Sequence, residues 1–256
     1  MGDFLLFMAL TAVMGLSIFL ALPIVYSKRA QGRWAVGLNA GAIGILVFLL
    51  ADVFSNVSPI IYPNGYVAGV GYSVAFLGAF LLAFLGLFAL DHLMGRATSS
   101  PERGPRFTAL IIALGIGLQN LTEGLVFGVN WTAGLVGVLA VVFLGFFLQN
   151  VTEGFPIASP FLGTGSPGRL STMSALFLVG GLPTLLGGAI GYFWSNDLFL
   201  VIFDALAIGA IAYVILPMLR AAFRPLSDRA ASLRRDRIVY LGVMVGFALG
   251  FAVNAI

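Results

Sequence analysis

Residues 107–129, FTALIIALGIGLQNLTEGLVFGV, and 133–159, AGLVGVLAVVFLGFFLQNVTEGFPIAS, decide how this chain is read. Each is long enough to cross a hydrocarbon core of about 30 Å as a helix. Each is apolar apart from one polar signature, Gln-Asn-x-Thr-Glu-Gly, which occurs at Gln119–Gly124 and again at Gln149–Gly154. In both copies Gln and Glu are four residues apart and Asn and Glu three apart, so the three side chains leave one helical face together. A carboxylate at that depth costs about 2.5–3.5 kcal/mol even on lenient insertion scales and so needs a partner or a task.

The rest of the chain agrees with a lipid environment. Its hydrophobic share is 60%, its charged share 9% and its mean hydropathy +1.07, whereas soluble domains have about half apolar and a quarter charged residues. Apolar runs near 3–26, 34–56, 65–91, 107–129, 133–159, 170–194, 198–219 and 238–255 predict eight transmembrane helices. The expected fold is an all-α integral membrane protein, one domain over 1–256, with 95–106 and 220–237 as cytoplasmic loops. The first run exceeds a signal-peptide core and has only Asp3 ahead of Lys28, so it is read as a span.

Charge supplies the orientation. Lys28, Arg29 and Arg33 fall between spans one and two, Arg96, Arg103 and Arg106 between three and four, and Arg169 between five and six. Arg220, Arg224, Arg229, Arg234, Arg235 and Arg237 fall between seven and eight, which completes the 13 basic residues of the chain. All lie in odd-numbered connections, so the positive-inside rule puts those connections in the cytoplasm and both termini outside. Bases confined to loops between apolar runs do not make a nucleic-acid surface, although the last basic stretch suits lipid headgroups. With no cysteine, any bound metal must use oxygen or nitrogen ligands.

Small residues four apart, as at Gly37 and Gly41, Gly187 and Gly191, and Gly242, Gly246 and Gly250, form stripes that let helices approach closely. Two uses stay open for them, packing within one protomer and a homodimer face. Asp204 lies about two turns into span seven and is ambiguous between a helix-end acid and a deep one.

The two motif copies are thirty residues apart on helices of opposite direction, joined by the short connection Asn130–Gly134. Such a pair can bring Glu123 and Glu153 together near the midplane around an approximate two-fold axis, with Gln119, Asn120, Gln149 and Asn150 beside them. Doubled motifs in oppositely running halves are a common design of transporters. Gly124 and Gly154 permit close backbone approach, and Pro156 is expected to bend span five just past its Glu. No Lys or Arg lies within any span to offset the two carboxylates, so they share protons or hold a cation, and the amide carbonyls favour a hard metal ion. Polar residues that merely hold helices together are the plainer alternative.

At these residues the chain resembles the ZIP family of divalent-metal transporters. That family has eight helices with both termini outside. Its fourth and fifth helices carry His-Asn-x-Pro-Glu-Gly and His-Glu-x-x-Glu-Gly-like motifs around a binuclear metal site. Leu50-Ala51-Asp52 is similar to its second helix, where the resemblance places an acid on the metal's inward path, and Gly209-Ala-Ile-Ala-Tyr213-Val214 is similar to the start of its seventh-helix pattern. The departures are Gln119 and Gln149 at the two His positions, Thr122 for Pro and Asn150 for an acid, with Leu182-Pro183 for Glu-Pro and Leu216-Pro217 where the seventh-helix acid would stand.

The resemblance implies a transporter, not an enzyme, that moves a divalent metal ion as substrate across the cell (cytoplasmic) membrane and needs no resident cofactor. With amides replacing imidazoles the expected ligands are Gln119, Asn120, Glu123, Gln149, Asn150 and Glu153, with Asp52 on the access path. That oxygen set suits manganese or iron(II), while the family keeps zinc in view. A metal-binding sensor or scaffold, and an intramembrane enzyme using Glu123 and Glu153 as acid and base, are the other readings. His92, beside Asp91 at the end of span three, reads as an interfacial residue rather than an exit-side ligand.

Overall fold

The structure is a computed structural model that describes residues 2–31, 34–66, 70–97, 103–134, 136–162, 168–194, 196–223 and 229–254. The described chain is helical, without strands. In chain order the helices are α1 (Gly2–Leu16), α2 (Leu22–Val25), α3 (Lys28–Gln31), α4 (Ala35–Ile61), α5 (Val70–Ala97), α6 (Arg103–Thr132), α7 (Val136–Ala158), α8 (Leu170–Gly181), α9 (Pro183–Phe193), α10 (Asp197–Ala222) and α11 (Arg229–Asn254). Seven stretches among the described residues are long and apolar enough to cross a membrane: Asp3–Val25, Ala35–Ile61, Val70–Leu93, Gly104–Thr132, Leu170–Phe193, Asp197–Arg220 and Arg229–Val253. The predicted fifth span is α7, 23 residues or roughly 34 Å long, which is not among those seven.

Two of these stretches are not single α-helices. The first is interrupted by a 3-10 turn at Ser17–Ala21, where the Ser17 hydroxyl donates to Met14 O at 2.7 Å and to Phe147 O on α7 at 2.8 Å. The stretch Leu170–Phe193 is interrupted at Leu182, because Pro183 has no N–H to continue α8 and instead opens α9. Pro156 lies in the last turn of α7, which passes into a 3-10 turn at Ser159–Phe161 and ends. It therefore helps to terminate the helix.

The segments 95–106 and 220–237, expected as loops, are largely helix. α5 continues to Ala97, α6 begins at Arg103, α10 continues to Ala222 and α11 begins at Arg229, while 98–102 and 224–228 lie outside the described residues. Apolar runs mark where lipid ends, not where helical hydrogen bonding ends. Ala- and Arg-rich stretches such as 229–235 are good helix formers in water, and Pro105 is tolerated because it falls in the first turn of α6.

α6 lies at the centre, packed on α7, α8, α9 and α10, while α4 is flanked by α10 and α11. α5 and α11 are peripheral, with only 11% and 17% of their spanning residues buried against 72% for α6. Glycine makes the tightest of these contacts. A side chain at Gly124 or Gly128 of α6 would run into the backbone of Thr184, Gly188 and Gly191 on α9, and one at Gly246 of α11 into Gly41 on α4. The stripes noted in the sequence are thus spent on packing inside one chain. Chain reversal after α6 uses Gly134 at φ 70°, a conformation that a residue with a Cβ resists.

Overpacking in a fitted interface costs about 1–3 kcal/mol or more. Gly246→Leu is therefore expected to lower the thermal unfolding midpoint of the detergent-purified protein by several degrees. Gly78→Leu, at a position with open space around it, should leave the midpoint within a degree. Equal effects would refute the packing assignment.

Candidate cation site

The motif residues meet where α6 and α7 face one another, and they do so by reciprocal exchange. Asn120 Nδ2 on α6 donates to Glu153 Oε2 on α7 at 2.8 Å, and Asn150 Nδ2 on α7 donates to Glu123 Oε2 on α6 at 3.2 Å. Each amide spends its second N–H on a backbone carbonyl: Asn120 on Gly180 O at 3.0 Å, at the end of α8, and Asn150 on Phe146 O at 2.9 Å, one turn back. The three-residue spacing makes this exchange possible. Asn and Glu leave the same face of each helix, and with the helices antiparallel each Asn reaches the other helix's Glu. The two Asn–Glu bonds between the helices are thus reciprocal.

The symmetry breaks at the glutamines. Gln119 Nε2 donates to Glu123 Oε1 at 2.8 Å, the intrahelical bond that a four-residue spacing allows. Gln149 makes no bond as close as this: both atoms of its amide and Glu153 Oε1 lack a close partner, although Gln119 and Gln149 both stand near enough to act on the Glu153 carboxylate. All six residues are buried, with exposures of 4% or less. Glu123 and Glu153 are near enough for their charges to act on each other, and Asp52 acts electrostatically on both.

What this arrangement can do follows from its oxygens. Gln119 Oε1, Asn120 Oδ1, Gln149 Oε1, Asn150 Oδ1 and Glu153 Oε1 are buried acceptors with no donor. Leaving a buried polar atom unsatisfied costs about 1–3 kcal/mol. The unmet need is one-sided, because the unpartnered site atoms are acceptors apart from Gln149 Nε2. A hard cation coordinates carboxylate and amide oxygens, so the donor set fits one. Among the described residues no three His, Cys, Asp or Glu side chains are gathered to hold a metal, and the fit therefore depends on the amides.

The structure also places residues that the sequence left uncertain. Asp52 is half-buried on α4 and joins Glu123, Gln119, Thr122 and Asp204 around a cavity of about 10 Å³, the space of about one water-sized centre. Asp204 is 1% exposed. Its depth depends on which helices surround α10, and no pattern within α10 itself reveals that. Thr184, beside the break at Leu182, is fully buried with an unpartnered hydroxyl. The motif glycines do not face each other: Gly124 meets α9, and Gly154 meets Ile18 and Ala21 of the first span. His92 is exposed and stacks on Phe88 with centroids 6.0 Å apart, outside the site. Its neighbour Asp91 accepts a short hydrogen bond from Tyr213 Oη, which ties α5 to α10.

Compared with models of protein families and with curated proteins, the chain matches none.

If the Asn–Glu exchange holds α6 to α7, then Asn120→Ala and Asn150→Ala should each destabilise the protein by about 1–3 kcal/mol, because each leaves a buried carboxylate oxygen without its donor. Their double mutant should depart from additivity by about 0.5 kcal/mol or more, since the two bonds end on coupled carboxylates. Denaturant unfolding of the four proteins in detergent measures the cycle. Costs below about 0.3 kcal/mol for both single mutants would contradict the exchange.

Proposed function

We propose that this protein is a divalent metal-ion transporter, similar to the ZIP family, in which Gln119, Asn120, Glu123, Gln149, Asn150 and Glu153 hold one ion between α6 and α7. The observation that carries the proposal is the set of five buried acceptor oxygens without donors around two carboxylates, within the apolar runs 107–129 and 133–159, which contain no Lys or Arg. A structure built only to fasten helices together would pair these oxygens with donors.

Transport, rather than storage, is supported by cavities on both sides of the site. The small one beside Glu123 lies along α4 at Asp52 and Asn56, and Asn56 is exposed. A larger cavity of about 510 Å³ involves Asn39, Thr108, Ser159 and Arg235. Asn39 and Asp52 are thirteen residues apart on α4, roughly 20 Å along the axis, so the larger cavity lies toward the start of α4 while the small one opens from the site toward its other end. In the proposed topology α7 is the fifth of eight spans and both termini are extracytoplasmic. The larger cavity then faces the cytoplasm, because its lining comes from helix ends joined by odd-numbered connections.

The ligand chemistry narrows the ion. With oxygen ligands only, the site suits manganese or iron(II) better than zinc, which prefers imidazole and thiolate. Release follows from the same chemistry: Asn120 and Asn150 can close on the carboxylates once the ion leaves, so the emptied site does not face two uncompensated charges. The proposed location is the cell membrane.

Proteoliposomes loaded with a metal-sensitive dye test this directly. Manganese or iron(II) flux is expected to exceed zinc, cadmium and magnesium flux, and Glu123→Gln or Glu153→Gln should reduce it at least tenfold, the size of loss usual for metal sites with a damaged ligand set. Binding without flux would assign the site to a sensor or scaffold. Flux that survives both substitutions would refute the site assignment.

A further inference from the structure

Asp204 is not used by the midplane site, yet its surroundings are those of a ligand. It projects from α10, is 1% exposed, and its Oδ1 has no hydrogen-bond partner. It lines the cavity of about 10 Å³ together with Gln119, whose Oε1 is likewise buried and without a donor. Thr122 and Asp52 complete the polar lining, with Thr122 within hydrogen-bonding reach of Asp204 and Asp52 acting on it electrostatically. Glu123 forms the wall shared with the midplane site. Three helices thus converge on one ion-sized space: α4 through Asp52, α6 through Gln119, Thr122 and Glu123, and α10 through Asp204.

We infer that Asp204 and Asp52, with Thr122 and Gln119, form a second station for the transported divalent cation, on the Asn56 side of the Glu123–Glu153 site. The inference rests on the cation reading of that midplane site. The cavity admits a single ion with most of its water removed, held by one or two carboxylates plus hydroxyl and carbonyl oxygens, a mode that suits magnesium- or manganese-like ions. Since Asp52, Glu123 and Asp204 border the cavity without closing into a three-acid metal cluster, the station binds more weakly than a closed cage, as a position from which the ion moves on to Glu123 must. Gln119 and Glu123 border both positions and pass the ion between them.

Manganese(II) binding to the full-length purified protein, counted by equilibrium dialysis and by electron paramagnetic resonance of free ion, tests this. Wild type is expected to bind two ions per chain, one more weakly. Asp204→Asn should bind one, retaining the tighter site. Glu153→Gln, which alters the midplane site away from the small cavity, should also bind one, retaining the weaker. Thr122→Val, a nearly isosteric change that serves if Asp204→Asn does not fold, should weaken only the second constant by about tenfold. Undiminished two-ion binding by Asp204→Asn, an unchanged second constant in Thr122→Val, or a single wild-type ion lost in Glu153→Gln but kept in Asp204→Asn would each overturn the station and leave the midplane site standing. No binding to wild type would overturn both.

Discussion

Two carboxylates, Glu123 and Glu153, are buried near each other between antiparallel helices whose apolar runs, 107–129 and 133–159, contain no basic residue. Every other feature of the core can be read as a response to that constraint. Charge of one sign cannot be placed in a low-dielectric interior without compensation, and the chain offers only amide dipoles. Asn120 and Asn150 each deliver one N–H to the opposite carboxylate. Gln119 delivers another within its own helix. Those donations leave the amide oxygens facing inward, and a cluster of carboxylate and amide oxygens is a ligand set for a hard cation. Under the proposed function the same residues serve two states, hydrogen-bonded to each other without an ion and coordinating with one.

The packing around the pair keeps this arrangement in place. Gly124 and Gly128 let α9 sit against the backbone of α6, and Gly154 does the same for the first span against α7. Ser17 fastens the interruption in that first span to Phe147 O, half a turn before Gln149. The break at Leu182 ends α8 where Gly180 O can accept from Asn120. A continuous helix would spend that carbonyl on its own ladder, so the break supplies an acceptor where the site needs one. Interruptions of this kind are tolerated at membrane depth only where they face protein or a cavity.

Much of this was legible in the sequence, because the informative quantities were local. Helical period alone placed Gln, Asn and Glu on one face, and the doubled motif on antiparallel spans implied that the faces meet. The stripes Gly187–Gly191 and Gly242–Gly250 correctly marked close approaches, though their partners on α6 and α4 could not be read from spacing. What stayed hidden depends on three-dimensional neighbours. Asp204 stayed ambiguous between a helix-end acid and a deep one because only the packing of α4 and α6 around it decides its depth, and Thr184 had no motif to mark it. The ends of α6 and α11 were misplaced because Arg229–Arg237 continues a helix beyond the apolar run. The unequal roles of Gln119 and Gln149 also escaped notice, since identical motifs give no hint that one copy makes its internal bond and the other leaves it open.

The central claim is that the doubled motif binds a metal ion through oxygen, and anomalous diffraction from crystals of the manganese-saturated protein tests it most directly. The account predicts a strong peak between α6 and α7, about 2.0–2.6 Å from oxygens of both Glu123 and Glu153 and of at least one motif amide, with the Asn–Glu hydrogen bonds opened. A map without a peak there at saturating manganese, with Asn120 still bonded to Glu153 and Asn150 to Glu123, would show that the motif fastens two helices together and nothing more.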